Sequence, residues 1–151
     1  HCKEHNYYEE SFGTRYYQAP EIILMGKCTY PVDIWALGCT FYELVSGKLL
    51  FDPIKDSTYS RDYYHITLIC DTCGYFPEAF LKETRYYKNY FQKMKLIDYT
   101  KPSINRLDSK ISELNATIEQ KNQIKYILSG LLTIDPKKRW SINTLHKFLK
   151  V

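Results

Sequence analysis

Apolar positions along this chain recur mostly at helical spacing. The clearest run is Pro31 to Ser46, where Ile34, Trp35, Ala36, Leu37, Cys39, Phe41, Tyr42, Leu44 and Val45 cover every side of a helix. A helix apolar all round is expected to be buried all round, as the central post of the fold. Pro31 suits its first turn, Asp33 places an acid near its positive end, and Gly47 follows as a stop.

Other segments arrange themselves around that post. Residues 1–18 are polar and irregular and read as a loop. Pro20 to Met25 reads as a short helix stopped by Gly26. Leu49 to Ser60 reads as a loop, and Asp62 to Cys73 as a helix with Ile66, Ile69, Cys70 and Cys73 inward and Gly74 at its end. Pro77 opens another short helix carrying Phe80 and Leu81. Tyr86 to Asn115 is mixed and polar. Thr117-Ile118-Glu119-Gln120 is a capping box before a helix with Ile124, Ile127, Leu128, Leu131 and Leu132 on one face. Asp135-Pro136 ends that helix, and Ser141 caps a last one with Leu145, Phe148 and Leu149 inward. With no alternating strand and no internal repeat, the fold class is mostly α: a helical bundle around the 31–46 helix.

Composition narrows the function classes. At 151 residues, 44% hydrophobic and 16% aromatic, the chain can bury a core and is not disordered throughout. The net charge of +4 is spread out, and its densest run, Lys137-Lys138-Arg139, reads as a solvated face, so nucleic acid is not an expected partner. No apolar run reaches the ~18 residues of a membrane span. Five cysteines without framework spacing read as reduced thiols in an intracellular compartment. Cys70-Asp71-Thr72-Cys73 reads as two small core residues, because no second pair completes a metal site. The chain opens on His1-Cys2-Lys3 rather than Met, which reads as a cut end.

Three motifs carry a family resemblance. Gly13-Thr14-Arg15-Tyr16-Tyr17-Gln18-Ala19-Pro20-Glu21 resembles the end of a protein-kinase activation segment. Asp33-Ile34-Trp35-Ala36-Leu37-Gly38-Cys39 resembles the Asp-x-Trp-x-x-Gly signature of the large buried kinase helix. Asp135-Pro136-Lys137-Lys138-Arg139 resembles the Asp-Pro-x-x-Arg signature near the end of the catalytic domain. Their order and spacing cover essentially the whole chain. The resemblance is to Ser/Thr protein kinases of the group holding the cyclin-dependent, MAP, Clk and SR-protein kinases. Leu50-Phe51-Asp52-Pro53, Tyr59-Ser60-Arg61-Asp62, His65-Ile66, Gly74 and Lys88-Asn89-Tyr90-Phe91 are most similar to the SR-protein kinases.

That resemblance implies roles. Gly13, Thr14, Arg15, Tyr16 and Tyr17 correspond to the loop that receives the substrate residue beside the phosphorylated one. Glu21 and Arg139 correspond to the family's buried ion pair. Asp33 corresponds to the acid that hydrogen-bonds the catalytic-loop backbone, and Trp35 and Gly38 to tight packing around the post. Residues 1–18 are then the end of the activation segment, and 93–115 a group-specific insert. The expected partner is a protein with Ser or Thr acceptors, in the cytoplasm or nucleus, or in a host cell if the source is a large DNA virus. Two departures stand out: Gln18 replaces an Arg of the wider group, and Tyr63-Tyr64 replace acids of the SR-protein kinases. The latter weighs against an acidic docking groove for Arg-Ser repeats.

Phosphoryl transfer also needs a Gly-rich loop, a phosphate-holding Lys, a catalytic Asp and Asn, and an Asp on Mg²⁺. The six glycines never form a Gly-x-Gly, and there is no His-Arg-Asp. Ser11-Phe12-Gly13 abuts the Ala-Pro-Glu too closely to stand for Asp-Phe-Gly. The N-terminal lobe and catalytic loop are therefore expected upstream of His1, together with the contacts for ATP and Mg²⁺. This chain is therefore expected to hold no catalytic, cofactor-binding or metal residue and to be inactive alone. The alternative is a non-catalytic kinase remnant that binds protein partners.

Overall fold

The computed structural model describes residues 14–100 and 106–149. After a single 3-10 turn over Arg15–Tyr17 come α1 (Pro20–Ile23), α2 (Pro31–Ser46), α3 (Arg61–Cys73), α4 (Glu78–Lys82) and α5 (Tyr87–Tyr90). A hairpin of β1 (Phe91–Gln92) and β2 (Lys95–Leu96) follows, then α6 (Arg106–Ser112), α7 (Ile118–Leu131) and α8 (Ile142–Leu149). The fold is mostly helical, and Trp35, Phe51, Leu24, Ile66, Ile69, Leu81 and Leu128 sit at its centre without solvent contact.

Helix α2 takes the expected bounds, with Pro31 in its first turn and Gly47 in the left-handed region at φ 68°. Its burial differs from the expectation. Ile34, Trp35, Gly38, Cys39 and Tyr42 face inward, but Leu44 is 79% exposed and Leu37 and Val45 also meet solvent. An apolar residue is permitted to be buried, but its identity does not supply the neighbour that buries it. Helix α7 crosses α2 at Gly38, where an added Cβ would lie 2.8 Å from Leu132 Cδ2 and 3.0 Å from Leu131 Cβ.

Helix starts follow their caps. Ser60 Oγ accepts the Tyr63 N–H at 3.2 Å, so α3 begins one residue earlier than the apolar pattern suggests. Thr117 and Gln120 close the capping box of α7 in both directions, and Ser141 Oγ accepts the Thr144 N–H at 3.1 Å ahead of α8. Helix α1 is shorter than expected, because Met25 takes a positive φ of 53° and turns the chain before Gly26.

The mixed stretch 86–115 holds structure that its pattern does not announce. The antiparallel hairpin pairs Phe91 with Leu96 and Gln92 with Lys95. Its two turn residues, Lys93 and Met94, both have positive φ (48° and 61°), a geometry usually marked by Asn-Gly. The strands were therefore not expected. Leu96, Leu107 and Ile111 from this stretch join the core. It is tied to α3 by polar contacts as well. Tyr63 donates to the Ile97 carbonyl at 2.6 Å, and the buried Asp71 accepts from Tyr99 and Arg106 at 2.9 Å each.

Cysteine pairing corrects another expectation. Cys39, Cys70 and Cys73 are free thiols, but Cys28 is disulfide-bonded. A disulfide depends on which chains the fold brings together, and spacing along the sequence does not report that. The Cys70 thiol is pushed up to about 12, chiefly by burial, and so behaves as a core residue rather than a nucleophile.

Candidate functional site

The segment Thr14 to Glu21 runs from solvent into the core. Thr14 is exposed and Arg15 half-buried, Tyr16 is 36% exposed, and Gln18, Ala19 and Glu21 are buried. Gly13 lies outside the described residues. The 3-10 turn is closed by Tyr17 N–H to the Thr14 carbonyl at 3.0 Å and Gln18 N–H to the Arg15 carbonyl at 3.2 Å, with no side-chain cap. So short a turn cannot hold its own position. Side-chain anchors hold it instead.

One anchor is Arg15, whose guanidinium pairs with Asp62 in the first turn of α3. A second is Tyr17, whose hydroxyl donates to Glu43 Oε2 on α2 at 2.5 Å. That bond to a carboxylate raises the Tyr17 pKa, because losing the proton would place two negative oxygens side by side.

The third anchor is built in depth. Arg139 Nη1 and Nη2 donate to the two Glu21 carboxylate oxygens at 2.7 and 2.9 Å. The remaining donors reach carbonyls: Nε to Thr133 at 2.8 Å, Nη1 to Pro31 at 2.7 Å and Nη2 to Ile134 at 3.1 Å. Every N–H of the guanidinium is thus used, and its plane matches the carboxylate fork. The guanidinium carbon also lies 5.1 Å from the Trp35 ring centroid. Trp35 in turn stacks on Phe51 at 5.8 Å, and Phe51 meets His65 at 5.6 Å. A column of rings therefore runs from the Arg139 pair toward the α3 helix that holds Arg15.

Of the sequence-derived residues, Glu21, Trp35 and Arg139 share one buried cluster, and Gly38 marks the α2–α7 crossing beside it. Asp33 stands apart. It is exposed in the first turn of α2 and makes no side-chain hydrogen bond among the described residues. Glu43, Asp62 and His65 were missed as site residues. The signal for Glu43 was present in the sequence, since an acid within an otherwise apolar helix asks for a partner.

Metal and nucleotide chemistry find little here. Among the described residues no group of three or more His, Cys, Asp or Glu side chains is arranged to hold a metal ion. The glycines with positive φ, Gly47 and Gly74, end helices.

Comparison with known proteins agrees with this geometry. The protein kinase domain family matches residues 1–149. Serine/threonine-protein kinase SKY1 of Saccharomyces cerevisiae is 29% identical over 153 residues, covering 99% of this chain and 21% of its own length. SRSF protein kinase 3 of Mus musculus is 29% identical over 143 residues, covering 93% of this chain and 25% of its own. Putative serine/threonine-protein kinase L205 of Acanthamoeba polyphaga mimivirus is 33% identical over 138 residues, covering 88% and 25%. The chain thus spans a fifth to a quarter of the length of these relatives. With a match that runs nearly end to end, the chain belongs to the protein kinase domain family.

Proposed function

We propose that this chain is the substrate-side helical part of a Ser/Thr protein kinase that transfers the ATP γ-phosphate to protein hydroxyls. The observation that carries the reading is the segment 14–21, anchored at Arg15, Tyr17 and Glu21 by three distant parts of the chain. Thr14 and Tyr16 are left facing solvent at its outer end, where an extended peptide could lie. In this reading the outer turn receives the peptide. The Glu21–Arg139 pair, Trp35 and Gly38 hold that turn at a fixed height above the core. The exposed apolar side chains of α2, Leu37, Leu44 and Val45, support a further part of the domain packing there. ATP and Mg²⁺, which the family implies, belong to that further part.

The name of SRSF protein kinase 3 gives that relative a class of protein substrate. In this chain Tyr63 is buried and its hydroxyl is engaged, while the Tyr64 hydroxyl bonds Asp56. Asp71 is buried and paired with Arg106. With these groups committed to their own chain, we infer a Ser/Thr acceptor without dependence on Arg-Ser repeats. Among the described residues no helix is long and apolar enough to cross a membrane. Among the described residues the free thiols of Cys39, Cys70 and Cys73 support a reducing compartment, cytoplasm or nucleus, and the disulfide at Cys28 argues the other way.

The test is γ-labelled ATP with a degenerate Ser/Thr peptide library, using the longer polypeptide that carries this chain. Label recovered as phosphoserine or phosphothreonine is the expected result. A folded polypeptide that transfers none would overturn the reading and favour a partner-binding remnant.

A further inference from the structure

Among the described residues, three buried side-chain polar atoms have no hydrogen-bond partner: Trp35 Nε1 and both ring nitrogens of His65. His65 is the more unusual of the two residues. It is 0% exposed, its ring rests against Phe51, and neither of its nitrogens is bonded. Burial first, and the charge of Arg15 second, push its pKa down to about 3. The ring is therefore neutral, with one N–H to donate and one nitrogen to accept. A buried polar group without a partner lowers stability, whereas an apolar side chain of similar shape would not. Packing alone gives no reason for a histidine here.

Its surroundings supply one. Asp62 lies three residues earlier on α3, on the same face of the helix as His65, and it is Asp62 that holds Arg15. Arg15, whose charge acts on His65, belongs to the single uncapped 3-10 turn 15–17, which is secured by the side chains of Arg15 and Tyr17 rather than by a backbone ladder. Part-exposed side-chain anchors hold such a turn less tightly than a backbone ladder would. A neutral, desolvated imidazole within the field of Arg15 can accept or donate a bond without bringing a charge into the core.

We propose that His65 is a positioning residue for the substrate-facing turn 14–17, forming, when a protein substrate engages, the hydrogen bond to that turn which it lacks here. The inference rests on the proposed kinase function and adds to it a residue that sets substrate affinity from below. A bond made only in the substrate complex lowers the peptide KM and leaves the nucleotide site alone.

The test compares the wild-type full-length protein with His65→Leu and His65→Gln, using the best peptide from a degenerate Ser/Thr library. For His65→Leu the expected result is a peptide KM raised about five- to tenfold, the size of one lost hydrogen bond, with the ATP KM within about twofold. Its melting temperature should equal or exceed that of the wild type. His65→Gln, which keeps a donor and an acceptor, should recover most of the peptide KM. An unchanged peptide KM in His65→Leu would overturn the inference while leaving the kinase reading intact. So would a His65→Leu protein that fails to fold, or a KM loss in both variants that follows falling stability, because His65 would then be a packing residue. A folded wild-type protein that transfers no phosphate would overturn the kinase reading, and this inference with it.

Discussion

The segment Arg15–Glu21 is held at its two ends by ion pairs of opposite character. At the inner end, Glu21 and Arg139 have side chains 2% and 0% exposed, two charge-assisted bonds between them and three backbone carbonyls around the guanidinium. At the outer end, Arg15 and Asp62 are 29% and 36% exposed. The inner pair is isolated from water, so each charge depends on the other. The outer pair is screened by solvent, and either partner can turn to water when the other leaves. One end is thus a fixed foundation and the other an adjustable contact. The proposed peptide-receiving role would draw on both.

Breaking the inner end should have the largest effect. Arg139→Ala leaves a buried carboxylate unpaired and should lose about 3–5 kcal/mol in denaturant unfolding. Lys138→Ala, at the exposed neighbouring position, should stay within about 0.5 kcal/mol. Equal losses would remove the distinction between foundation and surface.

Gly38→Ala probes the packing beneath that end. A methyl group would press on Leu131 and Leu132, and the cost should be about 1–3 kcal/mol in thermal melts. A variant as stable as the wild type would mean that the α2–α7 crossing can widen freely.

Acid sharpens the comparison through the column between the two ends. Folded His65 resists protonation down to about 3, while the unfolded chain accepts a proton near 6.5. Stability from this group is complete above pH 6.5 and falls as the pH drops toward 3. Between pH 7.5 and 5.5 it should account for about 1.4 kcal/mol of lost stability. His65→Leu should remove that part of the pH dependence. The same slope in the variant would place the acid sensitivity elsewhere.

The outer end should respond least. Arg15→Ala should cost at most about 1 kcal/mol of stability, because its pair is half in solvent.

Legibility in the sequence followed the range of the interaction. Helix starts set by local chemistry, such as Ser60, Thr117 and Ser141, could be read nearly to the residue because cap and helix are adjacent in the chain. The resemblance named Glu21 and Arg139 together, though 118 positions separate them, and the structure places them in contact. It could not show that one face of α2 stays open at Leu44, because apolar residues look alike whether covered or not. The hairpin at Lys93-Met94 was hidden by turn residues that do not advertise positive φ. Asp62 and Glu43 were ordinary acids until the fold brought Arg15 and Tyr17 to them. The empty hydrogen-bonding of His65 is a property of its surroundings, and no pattern in the chain encodes it.

The most direct measurement is the peptide KM of Arg15→Ala in the longer polypeptide, taken beside its melting temperature. A severalfold rise in peptide KM, with the ATP KM and the melting temperature nearly unchanged, is the result predicted for an adjustable substrate contact on a fixed foundation. An unchanged peptide KM, or a melting temperature lowered as far as in Arg139→Ala, would contradict it.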